Sequence, residues 1–113
     1  MMNGYVKNYT RISPATARKL LMSTPGILLI DVRNPEECAS GYIPGSINMP
    51  LQYLQWGIRN LPVGPYTPII TYCQAGMRAA SAATLLVQTG FQNVYTFGGI
   101  ENWPYEIVKN TWR

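Results

Sequence analysis

Cysteine 73, glycine 76 and arginine 78 stand in C-x-x-G-x-R spacing within Thr71-Tyr72-Cys73-Gln74-Ala75-Gly76-Met77-Arg78. A thiol attacks as its thiolate, so this loop would have to hold a sulfur anion. The flanks suggest how. Pro68-Ile69-Ile70-Thr71-Tyr72 is a β-branched and aromatic run that reads as a buried strand, and Ala79 to Gln88 reads as an alanine-rich helix. A strand turning tightly into a helix N-terminus leaves the first-turn N–H groups free to point into the loop. The helix dipole adds partial positive charge there. Gly76 lets the backbone curl into a nest of converging N–H groups. Arg78 adds a full charge nearby, and a thiol in such a ring is expected to ionise readily. A lone cysteine at a strand end is commonly a small buried apolar residue, and an arginine at a helix start commonly faces water. The joint spacing, bounded by strand and helix, favours chemistry over both.

The elements that must position this loop can be read along the chain. Tyr9-Thr10-Arg11-Ile12 is a candidate edge strand. Ser13-Pro14 marks a helix start, serine at the N-cap and proline at the first helical position. Ala17, Leu20 and Leu21 share one face of that helix, to about Ser23. Ile27-Leu28-Leu29-Ile30-Asp31-Val32 is a continuous apolar run of the kind a central parallel strand needs. Asp31 closes it, Arg33 follows two residues later, and Pro35 opens a short helix carrying Glu36, Glu37 and Cys38. A small strand is expected within Gly41 to Asn48, and a helix over Leu51 to Ile58. Pro62 to Pro68 reads as a connection. Beyond the Cys73 helix, Gly90 reads as its C-cap, Asn93 to Phe97 as the last strand and Gly98-Gly99 as a turn. Ile100 to Trp103 reads as a final helix limited by Pro104. Strands alternating with helices predict an α/β sandwich around a mostly parallel sheet.

Composition narrows the chemistry. A chain of 113 residues is sized for one domain, here residues 1–113, with a single core. It is 47% apolar and only 12% charged, a globular balance. A net charge of +4 favours anionic partners, but the nine Lys and Arg form no basic run, so no nucleic-acid partner is expected. No apolar stretch approaches a membrane span, and Met1 to Lys7 lacks the apolar core of a signal peptide. The expected location is therefore cytoplasmic, with no membrane partner. The chain contains no histidine, which removes Cys-His protease chemistry and the usual zinc sets; neither a metal nor a cofactor is expected. Cys38 and Cys73 form no C-x-x-C pair, and a structural disulfide would be unusual in a reducing cytosol. Any chemistry at Cys73 must proceed without an imidazole base.

Five motifs, in order, resemble the rhodanese family of sulfurtransferases and their non-catalytic relatives. They are Leu29-Ile30-Asp31-Val32-Arg33, Pro35-Glu36-Glu37, Gly41-Tyr42-Ile43-Pro44-Gly45-Ser46-Ile47-Asn48, Tyr72 to Arg78, and Phe97-Gly98-Gly99-Ile100-Glu101-Asn102-Trp103. The resemblance covers residues from about 9 to 108 and implies a rhodanese-like three-layer α/β/α sandwich with a mostly parallel five-stranded sheet. It further implies that Cys73 carries a sulfane sulfur as a persulfide, from a small sulfur-containing anion or persulfide donor to a thiol, protein or cyanide acceptor. Such a protein would be a monomer or weak homodimer. The loop N–H groups of Gln74, Ala75, Gly76, Met77 and Arg78 would stabilise the persulfide's outer sulfur. Arg78 resembles the family's loop-closing arginine, able to hydrogen-bond loop carbonyls as well as contribute charge. Asp31 and Arg33 resemble a loop-bracing ion pair. Cys38 stands where the family more often has a bulky apolar residue, and reads as a buried structural thiol before a resolving cysteine.

Two departures bear on substrate. Tyr42 replaces a histidine common after the glycine of Gly-x-Ile-Pro-Gly, a change expected to affect packing. The loop interior, Gln74, Ala75 and Met77, carries no cation, whereas good thiosulfate users of the family often have basic residues there. A dianion should bind such a rim less tightly. Two competing functions remain open at this level. A related cysteine-loop phosphatase or arsenate reductase resembles C-x5-R, one residue longer than the four enclosed here. A non-catalytic rhodanese binding module commonly loses the loop cysteine that this chain retains.

Overall fold

The computed structural model describes residues 8–109. The N-terminal stretch Met1 to Lys7, read above for a signal peptide, lies outside them. Five strands, β1 (Thr10–Arg11), β2 (Leu28–Asp31), β3 (Ile47–Asn48), β4 (Ile69–Cys73) and β5 (Val94–Gly99), form one sheet in the order β1-β5-β4-β2-β3. Every ladder between them is parallel, one step beyond the mostly parallel sheet expected. β4 sits in the middle, and all of its residues are buried. That is what a strand covered on both faces requires, and why Ile69 to Tyr72 shows no polar alternation.

Side chains on β4 still alternate by face. Ile69 and Cys73 join Ile30, Val32, Ala79, Ala82, Ala83 and Leu86 in one core. Ile70 and Tyr72 join Ala17, Leu29, Ile43, Phe97 and Trp103 in the other. Helix α1 (Pro14–Ser23) supplies the second core, and helices α3 (Leu54–Gly57) and α4 (Met77–Gln88) supply the first. Full burial of each Leu, Ile or Val contributes about 1.5–3 kcal/mol. The small alanine face of α4 lets the helix lie close to the sheet. On the other side Phe97 stacks on Tyr72 at 5.7 Å, and Trp103 packs on Phe97 at 5.0 Å.

Local signals set most element ends. Ser13 accepts from the Thr16 N–H at 3.0 Å, with Pro14 in the first turn, capping α1 as its sequence predicts. α4 ends in a Schellman arrangement: Phe91 N–H donates to the Leu86 carbonyl and Gly90 N–H to that of Val87, each at 3.1 Å. Thr89 is the cap residue, and Gly90, with φ of 108°, is the residue after it. The helix expected over Leu51 to Ile58 is instead a 3-10 turn (Leu51–Tyr53), the single-turn α3 and a second 3-10 turn (Ile58–Asn60). Prolines at 50 and 62 confine it, and Leu54 and Ile58 remain the positions buried. The helix expected at Ile100 is likewise one 3-10 turn, ending at Asn102 two residues before Pro104.

Candidate active site

Cys73 is the last residue of β4, and strand alternation aims its side chain at the first turn of α4. The N-cap of α4 is Gly76, which has no side chain to offer the helix's orphan N–H groups. The cysteine sulfur serves instead. Cys73 Sγ accepts the Gly76 N–H at 3.0 Å and the Ala79 N–H at 3.3 Å. Both N–H dipoles aim their positive ends at the sulfur. Gly76 achieves this with φ of 128°, a conformation that side chains disfavour. Among the described residues, the N–H groups of Ala75, Met77 and Arg78 have no hydrogen-bond partner. Cys73 is 1% exposed, whereas Gln74, Ala75 and Met77 on the rim are open to solvent.

The strand beneath anchors this turn. Thr71 donates its hydroxyl to the Ala79 carbonyl at 2.9 Å, and Thr96 donates to the Thr71 carbonyl at 2.9 Å. Both threonines are fully buried. Their hydroxyls were missed by sequence reasoning, though a polar residue in a strand buried on both faces must find a partner.

The back wall corrects one expectation. Gly98-Gly99 was expected to turn, but both belong to β5. The β4–β5 ladder slips by one residue: Thr71 pairs with Thr96, then Tyr72 with Gly98 and Cys73 with Gly99. This bulge at Phe97 brings the two glycines alongside the cysteine. A side chain on Gly99 would fall on the Gln74 carbonyl, and one on Gly76 would come within 3.4 Å of Gly98 Cα. Glu101 N–H donates to that same Gln74 carbonyl at 3.3 Å.

Four charged residues beside the loop form two pairs. Arg33 and Asp31 are both buried, with Nη2 to Oδ2 at 2.7 Å and Nε to Oδ1 at 3.0 Å. Arg33 also donates to the Gly41 carbonyl at 2.7 Å and to Gln74 Oε1 at 3.2 Å. It thus ties the β2 end to the cysteine loop. Burial alone would lower its pKa, but the hydrogen bonds and charge of Asp31 more than reverse this, and it is raised. Arg78 was expected to bond loop carbonyls. Its terminal nitrogens instead grip Glu37 of helix α2 (Pro35–Ala39), at 2.7 and 2.9 Å. The loop carbonyl of Gln74 has already been taken by Glu101, and a carboxylate is the stronger partner for a guanidinium fork. The Arg78 hydrogen bonds hold the Glu37 carboxyl down at about 2. Glu37 is the site residue for which the sequence offered a motif but no role.

Cys38 is half-exposed rather than buried, in the wall of a separate cleft beside Tyr42 and Ser46. Its thiol lies 3.4 Å from Asp31 Oδ2. Partial burial first, and then the Asp31 charge, push it up to about 11. A second, apolar cleft, bounded by Leu54, Ile58, Leu86 and Phe91, includes no residue of the cysteine loop. Arg11 is a residue that only topology brings near the wall. Its Nη2 lies 3.8 Å from where a Gly98 side chain would begin.

A parallel α/β sandwich whose central strand delivers a cysteine into an amide nest is the class that fold and site define. The chain belongs to the rhodanese-like domain family, whose model matches residues 13–106. It is 34% identical over 99 residues to the thiosulfate sulfurtransferase GlpE of Pseudomonas entomophila, covering 87% of each chain. Among solved structures it is similar to a rhodanese with anions from E. coli, at TM-score 0.69 and 29% identity, over 74% of this chain and 98% of that one. A human single-domain sulfurtransferase, TSTD1, matches at TM-score 0.73 and 25% identity, over 86% and 95%. These relatives support a sulfurtransferase role. Among the described residues no helix is long and apolar enough to cross a membrane.

Proposed function

We propose that this chain is a rhodanese-type sulfurtransferase that carries a sulfane sulfur on Cys73. The observation that carries the reading is the sulfur cradle: two N–H groups on Sγ and three more in the same loop still unused. With thiosulfate as donor, the Cys73 thiolate attacks the outer sulfur. A new S–S bond forms, the old S–S bond breaks, and sulfite leaves with its electron pair. No proton is removed from the donor, so a chain lacking histidine is not disabled. With a thiol persulfide the leaving group is the thiolate. The product Cys73–S–S⁻ places its charge one atom further out, where the N–H groups of Ala75, Met77 and Arg78 can receive it. An acceptor thiolate or cyanide then takes the outer sulfur and returns Cys73 as thiolate. Gln74, Ala75, Gly76 and Met77 line the path to the buried sulfur, and Asp31 and Arg33 brace it through Gln74.

The cysteine-loop phosphatase reading is weakened by the short loop and by the commitment of Arg78 to Glu37, which leaves no free fork for a phosphoryl group. Intact mass tests the proposal. After incubation with a sulfane donor the protein should gain one sulfur atom, lost again on cyanide treatment. Cys73→Ser should gain none, and Cys38→Ser should load as wild type does. Loading that survives Cys73→Ser but not Cys38→Ser would overturn the assignment.

A further inference from the structure

Arg78 is the cation nearest in sequence to the reactive sulfur, yet its charge is not free. Glu37 engages both terminal nitrogens, and the pair is only partly exposed, with side chains 36% and 31% accessible. Glu37 is itself fixed, because its Oε1 also accepts the Asn34 N–H at 3.0 Å and so caps α2. The other arginine reaching the loop, Arg33, is neutralised by Asp31. The exposed rim of Gln74, Ala75 and Met77 is uncharged, and Met77 is 85% exposed. On the loop itself an incoming anion therefore meets backbone dipoles and a cation already matched by a carboxylate; Arg11 stands outside the loop, beside Gly98 of β5.

We propose that Glu37 is a specificity-determining residue: by occupying the Arg78 fork it disfavours a compact dianionic donor and selects for a persulfide whose reacting end bears a single charge. The inference rests on the sulfur-transfer reading above. Its physical content is a charge argument. The repulsion from Glu37, and the attraction that a released Arg78 would exert, both scale with donor charge, so thiosulfate feels about twice what a monoanionic persulfide feels. The depressed Glu37 carboxyl keeps the clamp ionised throughout the neutral range.

Glu37→Gln tests this. The amide oxygen preserves the α2 cap while removing the charge. Steady-state kinetics are measured with thiosulfate and with the persulfide of 2-mercaptoethanol, at low and high salt. Relative to wild type, KM for thiosulfate should fall roughly twofold to fivefold at low salt, the scale of one exposed charge, and the gain should shrink as salt rises. The persulfide KM should fall by about the square root of that factor, so the selectivity ratio shifts toward thiosulfate. Glu36→Gln removes a neighbouring exposed charge that forms no ion pair among the described residues and should leave the ratio unchanged. In an Arg78→Met background the attraction of a released fork is absent, so Glu37→Gln should shift the ratio less, through the relieved repulsion alone. An unchanged ratio in Glu37→Gln, or an equal shift in Glu36→Gln, would overturn the specificity role while leaving sulfur transfer standing. A wild type that takes sulfur from neither donor would overturn both.

Discussion

Replacing Gly99 by alanine separates packing from backbone strain at the cysteine loop. Gly99 is extended, with φ of −142° and ψ of 159°, a conformation alanine adopts freely. On backbone entropy alone the change would stabilise the fold by about 0.4–1 kcal/mol. The added methyl, however, would fall on the Gln74 carbonyl, and the obstacle is main chain rather than a movable side-chain tip. Overpacking of this kind costs about 1–3 kcal/mol. Pushing Gln74 away also weakens the Glu101 hydrogen bond, worth roughly 0.5–1.5 kcal/mol net. The balance is a loss of about 2 kcal/mol, which lowers Tm by roughly 10 °C in a domain of this size. The same displacement moves the turn that presents Gly76 and Ala79 to the sulfur, and a shift of about 1 Å can cost on the order of 100-fold in rate. Thermal melts and the rate of sulfur loading, followed by intact mass, measure both effects. Gly64→Ala is the control, because its methyl would meet nothing within 4 Å. If Gly99→Ala melts with Gly64→Ala and loads sulfur at the wild-type rate, the close approach of β5 to the loop does not constrain the site.

Three further outcomes follow from the charges. Asp31→Asn leaves the Arg33 guanidinium buried without its carboxylate and should cost about 3–5 kcal/mol by urea unfolding; a loss under about 1 kcal/mol would show that the pair does not brace the fold. In a Cys73→Ser background, iodoacetamide should modify Cys38 with a midpoint near pH 11, and a midpoint below the ordinary 9.0 would contradict the Asp31 contact. Glu37 has a depressed pKa, so what it adds to stability is fully present above about 4.5 and is lost as pH falls through about 2. The Tm gap between wild type and Glu37→Gln should therefore close over that window, and a gap constant down to pH 2 would refute the assignment.

How much the sequence reveals depends on range. The strand, the turn and the helix around Cys73 are contiguous, so β-branched residues, Gly76 and the alanine face announce them before any fold is known. The cap at Ser13, the glycine that follows the cap of α4 and the strand end at Asp31 are equally local. The weak segments, Leu51 to Ile58 and Ile100 to Trp103, read as helices because apolar spacing alone does not distinguish one α-turn from 3-10 turns beside prolines. Gly98-Gly99 reads as a turn because two glycines usually signal one, whereas here a bulge and a neighbouring loop demand them.

By itself the sequence determined that a thiol would sit between a buried strand and a helix N-terminus, since both elements are specified by residues within a few positions of it. It also determined that no histidine would assist, and that the sheet would be covered on both faces. Only the tertiary structure decided which partner each charge takes. Arg78 and Glu37 lie 41 residues apart, as do Arg33 and Gln74. No periodicity encodes such a pairing, because a guanidinium bonds whichever carboxylate or carbonyl the fold presents with the right geometry, and that choice sets the balance of charge beside Cys73.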